Sequence, residues 1–339
     1  MTFYNNKIIV AEISKDGIYI ARKVQDNIQI EYIKENTKNF LKDIAVSEVI
    51  GDFDIDLDIN KKINIIYSDR IDGLQLYRFK GNTMELIQIP HEVNSRLYEM
   101  NLINTEDTNN IFFMQPTIEK QIYRIYHHFL QNDVIKEFIV DDVKTFNIIN
   151  PLRIIKYEKG LIIAYYYENQ ICTKIFDIDK SQWSPSLILT DNVNKLYLDI
   201  MFYEDRLHLV YSEYDNENFR IKYERFLFNK DYILKETEEY LSDNDNNVDP
   251  ILIKVGSKLW VCWRNSNQIY SVFSTDNGIV WSDIYLWEDT KKMDLVKYKY
   301  ITNIDDERVV IDYSYGSLKD IRFVGFDDIK KAKLYQQRK

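Results

Sequence analysis

A short apolar run, closed by an aromatic or polar anchor, recurs along this chain at a nearly constant interval. The copies are Ile63-Asn64-Ile65-Ile66-Tyr67, Ile111-Phe112-Phe113-Met114-Gln115 and Leu161-Ile162-Ile163-Ala164-Tyr165, then Leu207-His208-Leu209-Val210-Tyr211, Leu259-Trp260-Val261-Cys262-Trp263 and Val309-Val310-Ile311-Asp312-Tyr313. The anchors fall 48, 50, 46, 52 and 50 residues apart. A weaker first copy is Ile8-Ile9-Val10-Ala11-Glu12. A fixed period of this length means that one supersecondary unit is stacked on copies of itself and shares its core with its neighbours.

Each copy is followed by a second run that ends in an aromatic, such as Leu74–Phe79, Gln121–Tyr126, Ile171–Phe176, Ile221–Phe226 and Gln268–Phe273. Several alternate apolar and polar residues, the period-2 pattern of a strand with one buried face. Asn, Asp and Gly turns join the two runs into hairpins. A third apolar run precedes each hairpin and a fourth follows it. Four strands per repeat predict an all-β fold, a single β-propeller of about seven four-stranded blades. The alternative is six, with the chain ends sharing or abutting a blade so that both sheet edges are hidden. The repeat units run over 1–36, 49–91, 95–143, 146–191, 194–242, 246–290 and 293–339, in one domain spanning 1–339. The segment 37–47 is expected as a helical turn or a long loop. An irregular β-sandwich is the competing architecture.

Composition matters for partners and compartment. The 26 Tyr and 17 Phe favour strands, while 9 Gly and 5 Pro leave the turns to Asn and Asp. A net charge of −10 without a basic run argues against nucleic acid and anionic membrane as partners. The first residues lack a signal-peptide layout, and no apolar run approaches the roughly 20 residues that span a bilayer. Cys172 and Cys262 lie in strand-like runs and are expected as buried free thiols. A cytoplasmic protein is the default expectation, with surface or coat association as the alternative.

One stretch stands apart: Ser274-Thr275-Asp276-Asn277-Gly278-Ile279-Val280-Trp281, reading S-x-D-x-G-x-x-W between two strand-like runs. Asp276 can accept hydrogen bonds from its own turn, Gly278 can take a positive φ, and Trp281 can fold over the loop. Phe176, Asp179 and Trp183 form a decayed second copy. The pattern resembles the Asp-box, or BNR repeat, of sialidase-like β-propellers. The resemblance implies that Ser274, Asp276, Gly278 and Trp281 are structural, on the face opposite an active site. It also implies that catalysis would need three arginines around a carboxylate. The nearest match to the first is Pro151-Leu152-Arg153-Ile154-Ile155, with Arg70, Arg96 and Arg264 as further candidates.

A propeller concentrates function at one mouth of its channel, where the residues after the anchors and the inter-blade loops meet. That position selects Asp69, Arg70, Glu168, Glu213, Tyr214, Asp249, Arg264 and Tyr315 as ligand-binding candidates. Tyrosines beside carboxylates suit stacking on, and hydrogen bonding to, a sugar or a peptide. No metal site is expected: His127 and His128 point to opposite faces of a strand, and His91 and His208 stand alone. The 243–249 segment resembles half a calcium loop without its Gly and distal Glu. No phosphate loop or nucleophile elbow is present, so no cofactor is expected. The reading is a non-catalytic binding propeller for a glycan or protein segment at the channel mouth. The alternative is a glycoside hydrolase of the sialidase-like superfamily, and a third reading is a structural partner in a larger assembly.

Overall fold

The protein is described by a computed structural model covering residues 7–13, 17–34, 37–40, 48–60, 62–80, 83–91, 96–105, 107–145, 150–158, 160–229, 232–304, 306, 308–317 and 322–336. It is an all-β, six-bladed β-propeller, the smaller of the two expected blade counts. Two short 3-10 turns, Glu288–Lys292 and Ile329–Lys331, are the helical pieces among the described residues. No helix there is long and apolar enough to cross a membrane. By contact density the chain divides into two units, Met1–Lys144 with Tyr298–Asp305, and Thr145–Lys297 with Asp306–Lys339.

The first unit holds three blades. Their strands are Ile8–Ile13, Gly17–Val24, Asn27–Lys34 and Thr37–Phe40; Val49–Leu57, Ile63–Asp69, Leu74–Lys80 and Thr83–Ile89; and Tyr98–Asn104, Thr108–Pro116, Ile122–Gln131 and Val134–Lys144. Thr37–Phe40 pairs with Asn27–Lys34 as a fourth strand, not the helical turn or loop expected there. The run Thr37-Lys38-Asn39-Phe40 shows no alternation of apolar and polar residues, which is why periodicity missed it. The rest of that expectation, residues 41–47, lies outside the described residues.

The second unit holds the other three. They are Leu152–Tyr157, Gly160–Tyr167 and Gln170–Asp177 with a split outer edge, Gln182–Trp183 and Leu187–Ile188; Lys195–Tyr203, Arg206–Asp215, Asn218–Asn229 and Tyr232–Tyr240; and Asn247–Val255, Lys258–Asn265, Gln268–Ser274 and Ile284–Trp287. Cys172 and Cys262 are buried free thiols in strands of this unit.

The seventh repeat builds no blade of its own. Its first strand, Val296–Thr302, runs parallel to Ile8–Ile13, with Ile9 opposite Lys299 and Ala11 opposite Ile301. Val309–Ile311 pairs with Asn247–Val255, and Lys333–Gln336 extends the outer edge at Ile284–Trp287. Asp312 interrupts the run that ends at Tyr313 and is exposed. Tyr313–Ser317 pairs with Arg322–Val324 of the same copy, while the other strands cover sheet edges whose backbone groups would otherwise face water.

Second strands are buried on both faces. Leu209 and Tyr211 pack toward Ile162 and Ala164 of the preceding blade, while Val210 packs toward Leu252 and Val261 of the next. Runs such as 207–211 are therefore apolar at nearly every position. Fourth strands such as Tyr232–Tyr240 are largely exposed and polar. The anchors Tyr67, Tyr165, Tyr211 and Trp263 are buried, while Gln115 and Tyr313 are only partly so.

First strands of adjacent blades meet through carboxylates. Asp52, Asp54 and Asp56 accept from the N–H groups of Met100, Leu102 and Asn104 at 2.9, 2.7 and 2.7 Å. Asp54 is fully buried and also holds Lys299 at 2.6 Å and Lys7 at 3.5 Å. In the second unit Asp199 occupies the matching place. It accepts from Leu252 N at 2.8 Å and from Arg153 Nη2 at 2.8 Å.

Asp54→Ala is expected to destabilise the protein by roughly 3–5 kcal/mol in urea unfolding, because it strips the part-buried Lys299 of its carboxylate partner and leaves the Leu102 N–H without its acceptor. Tyr211→Ala and Trp263→Ala should each cost about 3–5 kcal/mol through the cavity they open. His208 gives a pH test. Burial lowers its pKa to about 3, while the unfolded chain titrates near 6.5. Below about pH 6.5 the unfolded state takes up a proton that the folded state refuses. Stability should fall by about 1.4 kcal/mol per pH unit from this residue, and His208→Gln should flatten that slope.

Candidate functional site

The first strands carry a recurrent β-bulge. Gly51, Glu99, Tyr197 and Asp249 all have positive φ where the register with the second strand shifts. A bulge re-aims the side chains around it. In the second unit two of these bulges gather a polar group around Tyr197 and Asp249, which both sit at φ 59°.

Three of the sequence-selected residues come together here. The Tyr315 hydroxyl donates to the Asp249 carbonyl oxygen, and Lys297 Nζ lies 2.5 Å from Asp249 Oδ1. Burial and then the Asp249 charge push the Tyr197 phenol up, against the opposing pull of Arg264. The same two charges act on buried Tyr315, which burial pushes well up. Arg264 directly follows the anchor Trp263 and is half-buried. Its guanidinium makes no hydrogen bond or ion pair among the described residues. The group thus offers a guanidinium, an ammonium, a carboxylate and a phenol, all partly accessible. Together they can donate to and accept from the hydroxyl or acid groups of a ligand.

Arg153 is not available for ligand gripping. Its guanidinium is bonded to Asp199 and lies 3.5 Å over the Tyr313 ring. Lys297 Nζ is 5.3 Å from that ring.

Glu213 and Tyr214 lie in a different cluster. Glu213 is buried and is held by Lys195 at 3.6 Å, Lys222 at 3.5 Å and the Tyr240 hydroxyl at 2.5 Å. Arg220 lies 3.9 Å over the Tyr240 ring, and the exposed Tyr214 packs edge-on against Phe219. Asp69 closes its own turn by accepting from the N–H groups of Ile71, Asp72 and Gly73. Arg70 and Glu168 are exposed, the latter at φ 56° in a hairpin turn. The loop around 243–249 uses its oxygens internally: Asn247 bonds to the Asp243 and Asp245 carbonyls and accepts from the Trp263 indole.

Sequence reasoning missed Tyr197. Its place one repeat before Asp249 is the signal that could have found it. It also left His91 isolated, whereas His91, His128 and Glu137 place ligand atoms within 4.8 Å of one another in the first unit. His127, by contrast, stacks on Phe112 and bonds to Asn110.

The S-x-D-x-G-x-x-W stretch forms a tight turn. Asp276 Oδ1 accepts from Ile279 N at 3.1 Å, Val280 N at 2.9 Å and the Ser274 hydroxyl at 2.7 Å. These bonds hold the Asp276 carboxyl below its usual range, although burial pulls the other way. Ser274 Oγ accepts in turn from Gly278 N at 2.8 Å. Gly278 has φ 83°, and a Cβ there would lie 1.9 Å from the Tyr223 hydroxyl. Trp281 is buried edge-on against Tyr223 at 4.8 Å.

No protein-family model matches the sequence, and no curated protein matches it. Solved structures do. A protein from Lactobacillus plantarum aligns with a TM-score of 0.50 at 13% identity, over 82% of this chain and 83% of its own. A six-bladed fungal lectin of Aleuria aurantia, described with a fucose recognition mode, gives 0.46 at 11% identity, over 83% and 95%. A thermostable family-43 glycoside hydrolase gives 0.41 at 14%, over 70% and 94%. At these identities the likeness concerns the fold alone.

Asp276→Ala should lower stability by roughly 1–3 kcal/mol, the cost of stranding N–H donors. Gly278→Val should cost at least as much, through its positive φ and the clash with Tyr223. Trp281→Ala should cost more than either through lost burial. Melting curves of the three variants check this order.

Proposed function

We propose that this chain is a non-catalytic binding propeller, and that Tyr197, Asp249, Arg264, Lys297 and Tyr315 form its recognition site for a glycan or protein segment. The observation that carries this reading is the half-buried Arg264 guanidinium, which has no partner among the described residues. It stands within electrostatic reach of the Tyr197 and Tyr315 phenols. A half-buried guanidinium with free donors suits a ligand that presents carboxylate or vicinal hydroxyl oxygens. A glycan with an acidic substituent fits this set best.

Binding is favoured over hydrolysis by the state of the candidate carboxylates. A glycosidase needs one acid free to give up its proton and a second free to attack or to activate water. Asp69 is taken up by its turn, Glu213 by two lysines and a tyrosine, and Asp249 by Lys297. We read the S-x-D-x-G-x-x-W turn as an Asp-box similar to that of sialidase-like propellers, and on that reading Ser274, Asp276, Gly278 and Trp281 have a structural role, which their hydrogen bonds and burial support.

A glycan array with neutral and acidic oligosaccharides, run beside a peptide library and a fluorogenic glycosidase panel, tests the reading. Binding without turnover is expected. Arg264→Ala should weaken the best ligand about 10- to 100-fold, the range for losing a hydrogen bond to a charged group. Asp276→Ala, if folded, should bind as the wild type does. Turnover of any panel substrate, or unchanged binding by both Arg264→Ala and Tyr197→Ala, would overturn the assignment.

A further inference from the structure

We propose that His91, His128 and Glu137 form a binding site for one divalent transition cation of the zinc class. His128 on Ile122–Gln131 stands directly opposite Glu137 on Val134–Lys144, so their side chains share one face of the third blade. His91 reaches them from the segment after Thr83–Ile89, the last strand of the blade before. The three ligand atoms lie within 4.8 Å of one another.

Their spacing suits a shared ion better than hydrogen bonds. Glu137 Oε2 is 3.4 Å from His91 Nδ1 and 3.4 Å from His128 Nε2. Both are long for a charged hydrogen bond. Donors at about 2.0–2.1 Å from a tetrahedral zinc stand about 3.3 Å apart. His128 is fully buried, and neither of its ring nitrogens has a hydrogen-bond partner among the described residues. His91 Nε2 lies 3.0 Å from Gln115 Oε1, which can only accept. The ring therefore donates from Nε2, and Nδ1 is the ring nitrogen that faces the carboxylate. A cation between Nδ1 and the carboxylate would bind both, and the Gln115 contact is the outer hydrogen bond that orients a metal-bound imidazole.

The surroundings fix the rings. His91 packs on Phe113 and Tyr126 at 4.7 Å each, and His128 stacks on Phe113 at 5.5 Å. Two imidazoles and one carboxylate select zinc-like ions over calcium and magnesium, which take oxygen ligands. The Glu137 side chain is 44% exposed, so solvent can reach this end of the site.

The full chain, stripped with a chelator and dialysed against zinc chloride, should retain one equivalent of zinc by atomic emission. Cobalt substitution should give the visible absorption of a four-coordinate site. His91→Gln and Glu137→Gln should each weaken zinc binding at least tenfold. Gln115→Ala should weaken it about 10- to 100-fold. Should either ligand variant fail to melt cooperatively, the wild-type cobalt spectrum remains decisive. Wild-type protein that retains no zinc and shows no such cobalt spectrum would overturn the site. So would a folded His91→Gln/Glu137→Gln variant that binds zinc as tightly as the wild type.

Discussion

The fold depends on carboxylates that join the first strand of one blade to the backbone of the next. The backbone N–H groups of a first strand that face the neighbouring blade must find acceptors. Asp52, Asp54 and Asp56 supply them to alternate residues of Tyr98–Asn104, because residues two apart face the same way along a strand. Asp199 does the same for Leu252 in the second unit. Each buried carboxylate then needs a cation, and Lys299 and Arg153 are drawn in to balance the charge.

That requirement decides which charges are left for function. Arg153 sits in the stretch most similar to a ligand-gripping arginine, yet it is held by Asp199 and Tyr313. Arg264 comes one residue after a buried anchor, where the second strand ends, and keeps its donors. Glu213 looked like an exposed loop acid from its position, but two lysines and a tyrosine enclose it. Burial separates the structural ion pairs from the groups that stay partly open around Tyr197 and Asp249.

The repeat also explains the edges. In the second unit a hydroxyl at the end of each blade caps the start of the third strand: Thr190 to Ile171 N, Ser242 to Ile221 N and Thr290 to Ile269 N. Ser184 and Ser282, each after a tryptophan, bond to Ile175 N and Phe273 N in the same way. These caps recur at the repeat spacing. They went unread because hydroxyl residues are common in turns and carry no hydrophobic signal.

The sequence by itself determined the all-β class, the four-strand repeat, the buried anchors at 67, 165, 211 and 263, and the turn at 274–281. All of these follow from local periodicity or turn chemistry, which neighbouring residues specify. It left the blade count between seven and six, because the seventh copy carries strand-like runs whatever sheet they join. Only the tertiary structure decided that those strands complete other sheets. It alone brought His91 beside His128 and Glu137, placed Tyr197 at a bulge with Asp249, and consumed Arg153 and Glu213 in buried pairs. Each of these contacts joins residues from different strands, and charge pairing at that separation leaves no mark on the residues' own neighbours.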